Sequence, residues 1–188
     1  MTNLITVITA VHPPAAKFLA DAYKSLTEQQ LPDGWDWQWV IQEDGETDGV
    51  TPHLPDDPRI SFGQGRQGRA AIARTLGLSR AEGEYVKVLD ADDMLTPGAL
   101  ARDLQALASD SSLGWATSRV LDLLPDGSTV GFDQDPPEAR SNAAPSSNTG
   151  RPTTTAPRST RRPSSCAATC SWRWAAGWPC RRARTRAC

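Results

Sequence analysis

Residues 68–100 read GRAAIARTLGLSRAEGEYVKVLDADDMLTPGAL, and the succession of textures in this stretch decides the fold. Ala71, Ile72, Leu76 and Leu78 recur at helical spacing, which predicts a helix over residues 68–81. Residues 84–89 (EYVKVL) are short, apolar and β-rich and predict a strand. The strand runs directly into Asp90-Ala91-Asp92-Asp93. Thr96 is then placed to cap a second helix with Pro97 at its first position, where the missing proline N–H would be unpaired in any case. Leu100, Leu104 and Leu107 carry that helix onward.

The same alternation extends in both directions. Residues 4–10 (LITVITA) are almost continuously apolar, as a strand buried on both faces requires. His12-Pro13-Pro14 stops them, and residues 15–28 place Phe18, Leu19, Ala22, Tyr23 and Leu26 at helical spacing. A turn at 31–34 precedes a strand at 37–43 (WQWVIQE), then a polar loop at 44–49 (DGETDG) and a short strand at 59–62. Residues 114–124 predict a last strand, with a hairpin-type turn at 125–128. Strands alternating with helices in this way predict an α/β domain built on a mainly parallel sheet. Ligands of such sheets sit outside the carboxyl ends of the strands. Both acidic loops, 44–49 and 90–93, fall at such ends, which points to a site there.

Asp90, Asp92 and Asp93 are hard oxygen donors of the kind that suits Mg²⁺ or Mn²⁺. An ion held there would bridge a diphosphate and offset charge as it leaves. The plainer alternative is a solvated acidic turn whose carboxylates cap the chain that follows. Gly63, Gly65 and Gly68 also form a G-x-G-x-x-G, with Asp90 placed 22 positions after Gly68. That pattern admits a dinucleotide-binding Rossmann reading. Against it, two strands precede the motif, its own strand is about four residues long, and a ribose-binding acid needs no further carboxylates beside it.

Taken in order, these pieces resemble family 2 glycosyltransferases of the GT-A fold, a Rossmann-like sheet flanked by helices, over about residues 4–124. SLTEQQLPDGWDWQWVIQEDGETDG is similar to the family's S-L-x-x-Q, strand and D-G-S-x-D. Residues 68–100 resemble its G-x-x-x-A-R-N-x-G, A-x-G-E-Y, D-A-D-D and P-x-x-L. The resemblance implies an inverting transfer of a sugar from a nucleoside-diphosphate donor to an acceptor hydroxyl, with a divalent metal, Mn²⁺ or Mg²⁺. It implies that Asp44 accepts a hydrogen bond from the donor's base and that Arg74 contacts the nucleotide region. Asp90 and Asp92 would form the D-x-D unit holding ribose, metal and diphosphate, with Asp93 a further metal ligand. Glu43 stands in place of the first Asp of D-D-G-S, Glu46 in place of its Ser, and Thr75 where Asn follows Arg. These departures leave open which base is read. Donor sugar and acceptor (saccharide, lipid or small molecule) are likewise left open.

The chain changes character near residue 135. Of 22 acidic residues all but Glu138 lie in residues 1–135, whereas the 20 Lys plus Arg divide evenly, ten on each side. Residues 1–135 therefore carry −11 and residues 136–188 carry +9, which together give the overall −2. Beyond Val130 there is no Leu, Ile, Val or Met, so residues 136–188 cannot offset their ordering entropy by aliphatic burial and are expected to be disordered. Cys166, Cys170, Cys180 and Cys188 have uneven spacing and no nearby His, a poor zinc pattern.

An inverting transferase needs a base on its acceptor side, and only Glu138 follows Asp135, so the general base is expected to be absent from this chain. The Arg-, Ala-, Pro- and Ser-rich composition is what a GC-rich gene gives when read out of frame, and it predicts a frameshift near residues 136–150. Sliding the frame back by one base forces alternating large apolar residues and Ala behind residues 171–180 and permits an E-D pair behind residues 181–188. Three functions follow as expectations: the transferase or its donor-binding half, a non-catalytic nucleotide-binding module, and an Arg-rich nucleic-acid arm. The last is disfavoured because the attached domain is acidic, and no nucleic acid is expected. The start MTNLITVITA has no basic n-region and too short an apolar run for a signal or a span. A cytoplasmic protein is expected, with membrane association unsupported.

Overall fold

A computed structural model describes residues 2–132 and, for the backbone alone, Cys170–Arg173. In sheet order the strands are β3 (Ile60–Gly63), β2 (Trp35–Glu43), β1 (Asn3–Val11), β4 (Tyr85–Val88), the strand at Cys170–Arg173 (β8) and β5 (Trp115–Thr117). β1 (Asn3–Val11) pairs in parallel with β2 (Trp35–Glu43) on one side and β4 (Tyr85–Val88) on the other. β3 (Ile60–Gly63) extends the sheet in parallel beyond β2. α1 (Leu19–Thr27) and α3 (Ala99–Ala108) cover one face, and α2 (Arg69–Leu78) covers the other. The expected α/β architecture is therefore present. The strand order reverses at β1, the kind of switch point outside which open α/β sheets bind ligands.

Strand periodicity assigns the two faces. Ile5, Val7 and Val11, Trp37, Trp39 and Ile41, and Tyr85 and Leu89 point into one core with Leu19, Leu26, Leu100, Leu104 and Leu107. Each such side chain contributes about 1.5–3 kcal/mol when fully buried. Ile8, Val40 and Val86 form the smaller opposite core, where α2 comes so close that a Cβ on Gly77 would lie 3.0 Å from Ile8. Two polar pairs lie inside the sheet: the Trp39 indole N–H donates to Thr9 Oγ1 at 2.8 Å, and Thr6 Oγ1 donates to Gln38 at the same distance.

Several boundaries differ from the sequence reading. Residues 15–28 are not one helix: Pro13–Phe18 form a 3-10 helix and α1 begins at Leu19. Two successive prolines remove donors from the first turn, and Ala15 N closes it by donating to His12 O. α3 is capped by Gly98, left-handed at φ 72°, rather than by Thr96. Pro97 lies before the helix, and the Thr96 hydroxyl and Pro97 carbonyl accept bonds from Arg102. The strand expected at 114–124 is broken into β5 (Trp115–Thr117) and β6 (Asp122–Leu123). β6 turns back on β7 (Thr129–Val130) through the expected turn.

Cys170–Arg173 form a short strand within the part of the chain expected to be disordered. They pair antiparallel with both β4 and β5, and so satisfy backbone groups that would otherwise face two open sheet edges. Ladder bonds need no aliphatic side chain, so composition gave no sign of them. Glu138 and the remaining tail cysteines lie outside the described residues. No helix among the described residues is long and apolar enough to cross a membrane.

A polar cluster ties the β2–β3 connection to α1. Tyr23 stacks on Trp39 with centroids 5.9 Å apart and donates its hydroxyl to Asp57 Oδ2 at 2.8 Å. Arg59 forks onto Asp57 and lies over Trp37, 3.6 Å from the ring centroid. The Arg59 bonds hold the Asp57 carboxyl well below the usual carboxylate range. A lowered pKa stabilises the fold above the unfolded value, and that contribution is lost as acid protonates the folded group. Asp57→Asn should therefore cost about 1 kcal/mol at pH 7, since Arg59 is partly solvated and screened. It should also flatten the acid limb of a stability–pH profile. Denaturant titrations at pH 7 and below 3 check this, and an undiminished acid limb would count against it.

Candidate functional site

Four loops meet at the carboxyl ends of β1 to β4. The first two, His12–Pro14 and Asp44–Gly49, pack so closely that a Cβ on Gly49 would come within 2.9 Å of Pro13. With Arg66 and Gln67 from the third loop they line a cleft of about 600 Å³. Asp44 lies in this cleft, half-buried, and its Oδ1 accepts a bond from Gly68 N at 2.6 Å. One carboxylate oxygen is thus held by the chain at the start of α2. The loop is further pinned by a backbone bond from Gly65 N to Gly45 O at 3.2 Å.

The second group of site residues follows β4. Arg74, half-buried on α2, bonds Asp90 through Nη2, while its Nε is buried with no hydrogen-bond partner among the described residues. A buried unpaired donor beside a carboxylate turn is uncommon and leaves Arg74 able to bind a second acceptor. Asp92 is exposed and Asp93 is buried, with Asp93 N donating to Asp90 O at 3.1 Å. Burial, followed by repulsion from Asp90 and Asp92, pushes the Asp93 carboxyl up to about 7, against a smaller lowering by Arg74.

The structure thus brings Arg74, Asp90, Asp92 and Asp93 together. It places Asp44 separately in the cleft, on the other side of β1. At strand spacing the ends of β2 and β4 are roughly 10 Å apart. No group of three or more His, Cys, Asp or Glu side chains is poised as a metal cage among the described residues. Carboxylates of this kind nevertheless fit Mg²⁺ or Mn²⁺, which take one or two protein carboxylates and complete their shell with phosphate oxygens and water.

The dinucleotide alternative is not favoured. The space beside Gly63, Gly65 and Gly68 is filled by the chain itself: added Cβ atoms would come within 2.5 Å of Arg80, 2.7 Å of Leu76 and 2.7 Å of Ile72. β3, which ends at Gly63, is an edge strand of the parallel set rather than the first strand of the unit.

Sequence reasoning gave no role to Ser25 and Gln29, although it quoted their motif. Ser25 Oγ accepts from Leu95 N at 3.0 Å. Gln29 accepts from Leu100 N through Oε1 and donates to Thr96 O through Nε2. Both side chains are buried, and together they fasten the segment that follows the acidic turn to the end of α1. The available signal was two polar residues, i and i+4, on the apolar stripe of a helix.

Glycosyl transferase family 2 matches this chain over residues 6–127. The teichuronic acid biosynthesis glycosyltransferase TuaG of Bacillus subtilis is 31% identical over 119 residues, which are 59% of this chain and 46% of that protein. The O-antigen biosynthesis protein RfbC of Myxococcus xanthus is 29% identical over 119 residues, 58% of this chain and 9% of its own. The mannosyltransferase PcManGT of Pyrobaculum calidifontis, solved with GDP-Man and Mn²⁺, shares the fold at a TM-score of 0.52 and 24% identity. That likeness covers 61% of this chain and 35% of the mannosyltransferase. The chain spans less than half the length of each of these relatives.

Proposed function

The chain belongs to glycosyl transferase family 2, and on that premise we propose that residues 1–135 are the donor-binding half of an inverting, metal-assisted transferase that uses a nucleoside-diphosphate sugar. The observation that carries this reading is the placement of two acidic groups on one sheet edge. Asp44 lies in the cleft beyond β2, and Asp90 to Asp93 lie beyond β4. A nucleotide laid across β1 would reach from one to the other.

In this reading the base occupies the cleft. The free oxygen of Asp44 accepts a ring N–H, while Gly68 N keeps the carboxylate oriented. Asp90 and Asp92, with Asp93 as a further ligand, would hold Mn²⁺ or Mg²⁺, which when bound offsets charge on the departing diphosphate. Arg74 keeps the Asp90 carboxylate in place, and its unpaired Nε donates to a ribose or phosphate oxygen. Ser25 and Gln29 hold the acidic turn from behind.

Transfer with inversion also needs a base to take the acceptor hydroxyl's proton as oxygen attacks the anomeric carbon and the nucleoside diphosphate leaves. Glu138 is the single acid beyond residue 135. We therefore assign donor binding to residues 1–135 and the transfer base to a segment outside them. The base would be supplied by an in-frame continuation of the gene past residues 136–150, and the chain is placed in the cytoplasm with the nucleotide donor. The acceptor is a saccharide, lipid or small-molecule hydroxyl.

The test is a thermal shift with UDP and with GDP, each with Mn²⁺. At a ligand concentration about a hundredfold above Kd, the better nucleotide should raise Tm by about 5 °C or more. No rise with either nucleotide would remove the reading.

A further inference from the structure

Glu43, the last residue of β2, has no exposed surface and does not line the cleft. Its carboxylate instead binds along the loop that forms the cleft wall. Oε1 accepts from the Thr47 amide at 3.1 Å and from the Thr47 hydroxyl at 2.6 Å. Oε2 accepts from Gln64 Nε2 at 3.0 Å, and the same nitrogen donates to Asp48 Oδ1 at 2.9 Å. Gln64 thereby straps the loop after β3 to both ends of the loop after β2.

A buried carboxylate is costly unless donors surround it. Here three of those donors come from Thr47 and Gln64, so any loop shape that withdraws them leaves a buried carboxylate unsatisfied. The cost of moving the loop is therefore set by Glu43. The shorter Asp usual in the family's motif would lack one methylene of this reach.

We propose that Glu43 is a positioning residue, with Gln64 as its strap, that fixes the Asp44–Asp48 loop in one shape and so decides which nucleobase the cleft admits. The inference rests on reading this cleft as the base side of a nucleoside-diphosphate site. A held wall discriminates between a purine and a pyrimidine by size and by where Asp44 meets the ring. A released wall accommodates both, so loss of the latch narrows the preference rather than abolishing binding of the diphosphate.

The experiment measures Kd by calorimetry for UDP, GDP and inorganic pyrophosphate, each with Mn²⁺, on the full chain and on Glu43→Gln, Glu43→Asp and Gln64→Leu. Removing a hydrogen bond to a buried charge should weaken the preferred nucleotide about tenfold in Glu43→Gln and narrow the UDP-to-GDP ratio. Gln64→Leu should act in the same direction with a smaller factor, and Glu43→Asp should fall between it and wild type. Pyrophosphate affinity should stay at the wild-type value throughout. An unchanged UDP-to-GDP ratio in Gln64→Leu, or a parallel loss of pyrophosphate, overturns the proposal even if the Glu43 variants fail to fold. If the wild-type chain binds neither nucleotide, the donor-site reading fails separately. Hydrogen exchange at the Thr47 amide then decides the latch: faster exchange in Gln64→Leu than in wild type supports it, and equal rates overturn it.

Discussion

Lys87→Met should destabilise the folded chain by about 3–5 kcal/mol, enough to unfold a large fraction of a domain of ordinary stability. Lys87 sits in the middle of β4 with no exposed surface, on the face that carries Tyr85 and Leu89 into the main core. Its Nζ meets Asp103 Oδ2 from α3 at 2.5 Å, and Ser118 Oγ donates to the other oxygen of the same carboxylate. Methionine fills nearly the same volume, so packing changes little and the measured loss reports the charge left behind on Asp103.

The informative control is the double variant Lys87→Met/Asp103→Leu. Removing both charges restores the desolvation balance and should recover most of the loss, because a buried pair contributes far less than breaking it costs. Urea unfolding of the two single variants and the double variant supplies the cycle. A Lys87→Met loss below about 1 kcal/mol would mean that water reaches Asp103 despite its burial.

That pair also shows where reading the chain by eye stops. EYVKVL is legible as a strand because burial and β-propensity are local properties. That its lysine is an internal ion-pair partner depends on Asp103, one helix later, and no periodicity relates the two. The same holds at the site. The loops 44–49 and 90–93 were legible as strand-end loops because topology alone places them, whereas Asp44 and Arg74 were singled out only through the family resemblance. The bond between Arg74 and Asp90, and the separation of Asp44 from both, needed the sheet order. Glu43 was visible only as a departure from a motif. Its part as a latch follows from Thr47 and Gln64, whose side chains converge on it from two loops. The start of α3 was misread because the Thr-Pro signal is strong in general, whereas a left-handed Gly98 fits the turn that Ser25 and Gln29 hold.

Asp90→Asn is the second large effect, and here function and stability should move apart. The Arg74–Asp90 pair is partly solvated, with side chains 35% and 41% exposed, so its contribution to folding is at most about 1 kcal/mol. Against that, Asp90 repels the buried Asp93 carboxyl and helps to push it up to about 7. In the absence of metal the substitution should therefore be neutral or slightly stabilising at pH 8, where the unsubstituted turn carries the most negative charge. With Mn²⁺ and a nucleoside diphosphate the balance should reverse, because in the proposed reading the same crowded charge draws a divalent cation and its phosphate. Loss of one carboxylate ligand should weaken Mn²⁺-dependent nucleotide binding on the order of a hundredfold. Calorimetry with and without Mn²⁺, paired with urea unfolding of the metal-free chain, measures both sides. Wild-type nucleotide affinity in Asp90→Asn would mean that the turn does not hold the ion. A loss of more than about 2 kcal/mol in the metal-free chain would mean that Asp90 is kept for the fold rather than for the donor. Repulsion that folding tolerates at this strand end, beside an arginine whose Nε is buried with no partner among the described residues, is what the proposed cation and diphosphate would offset.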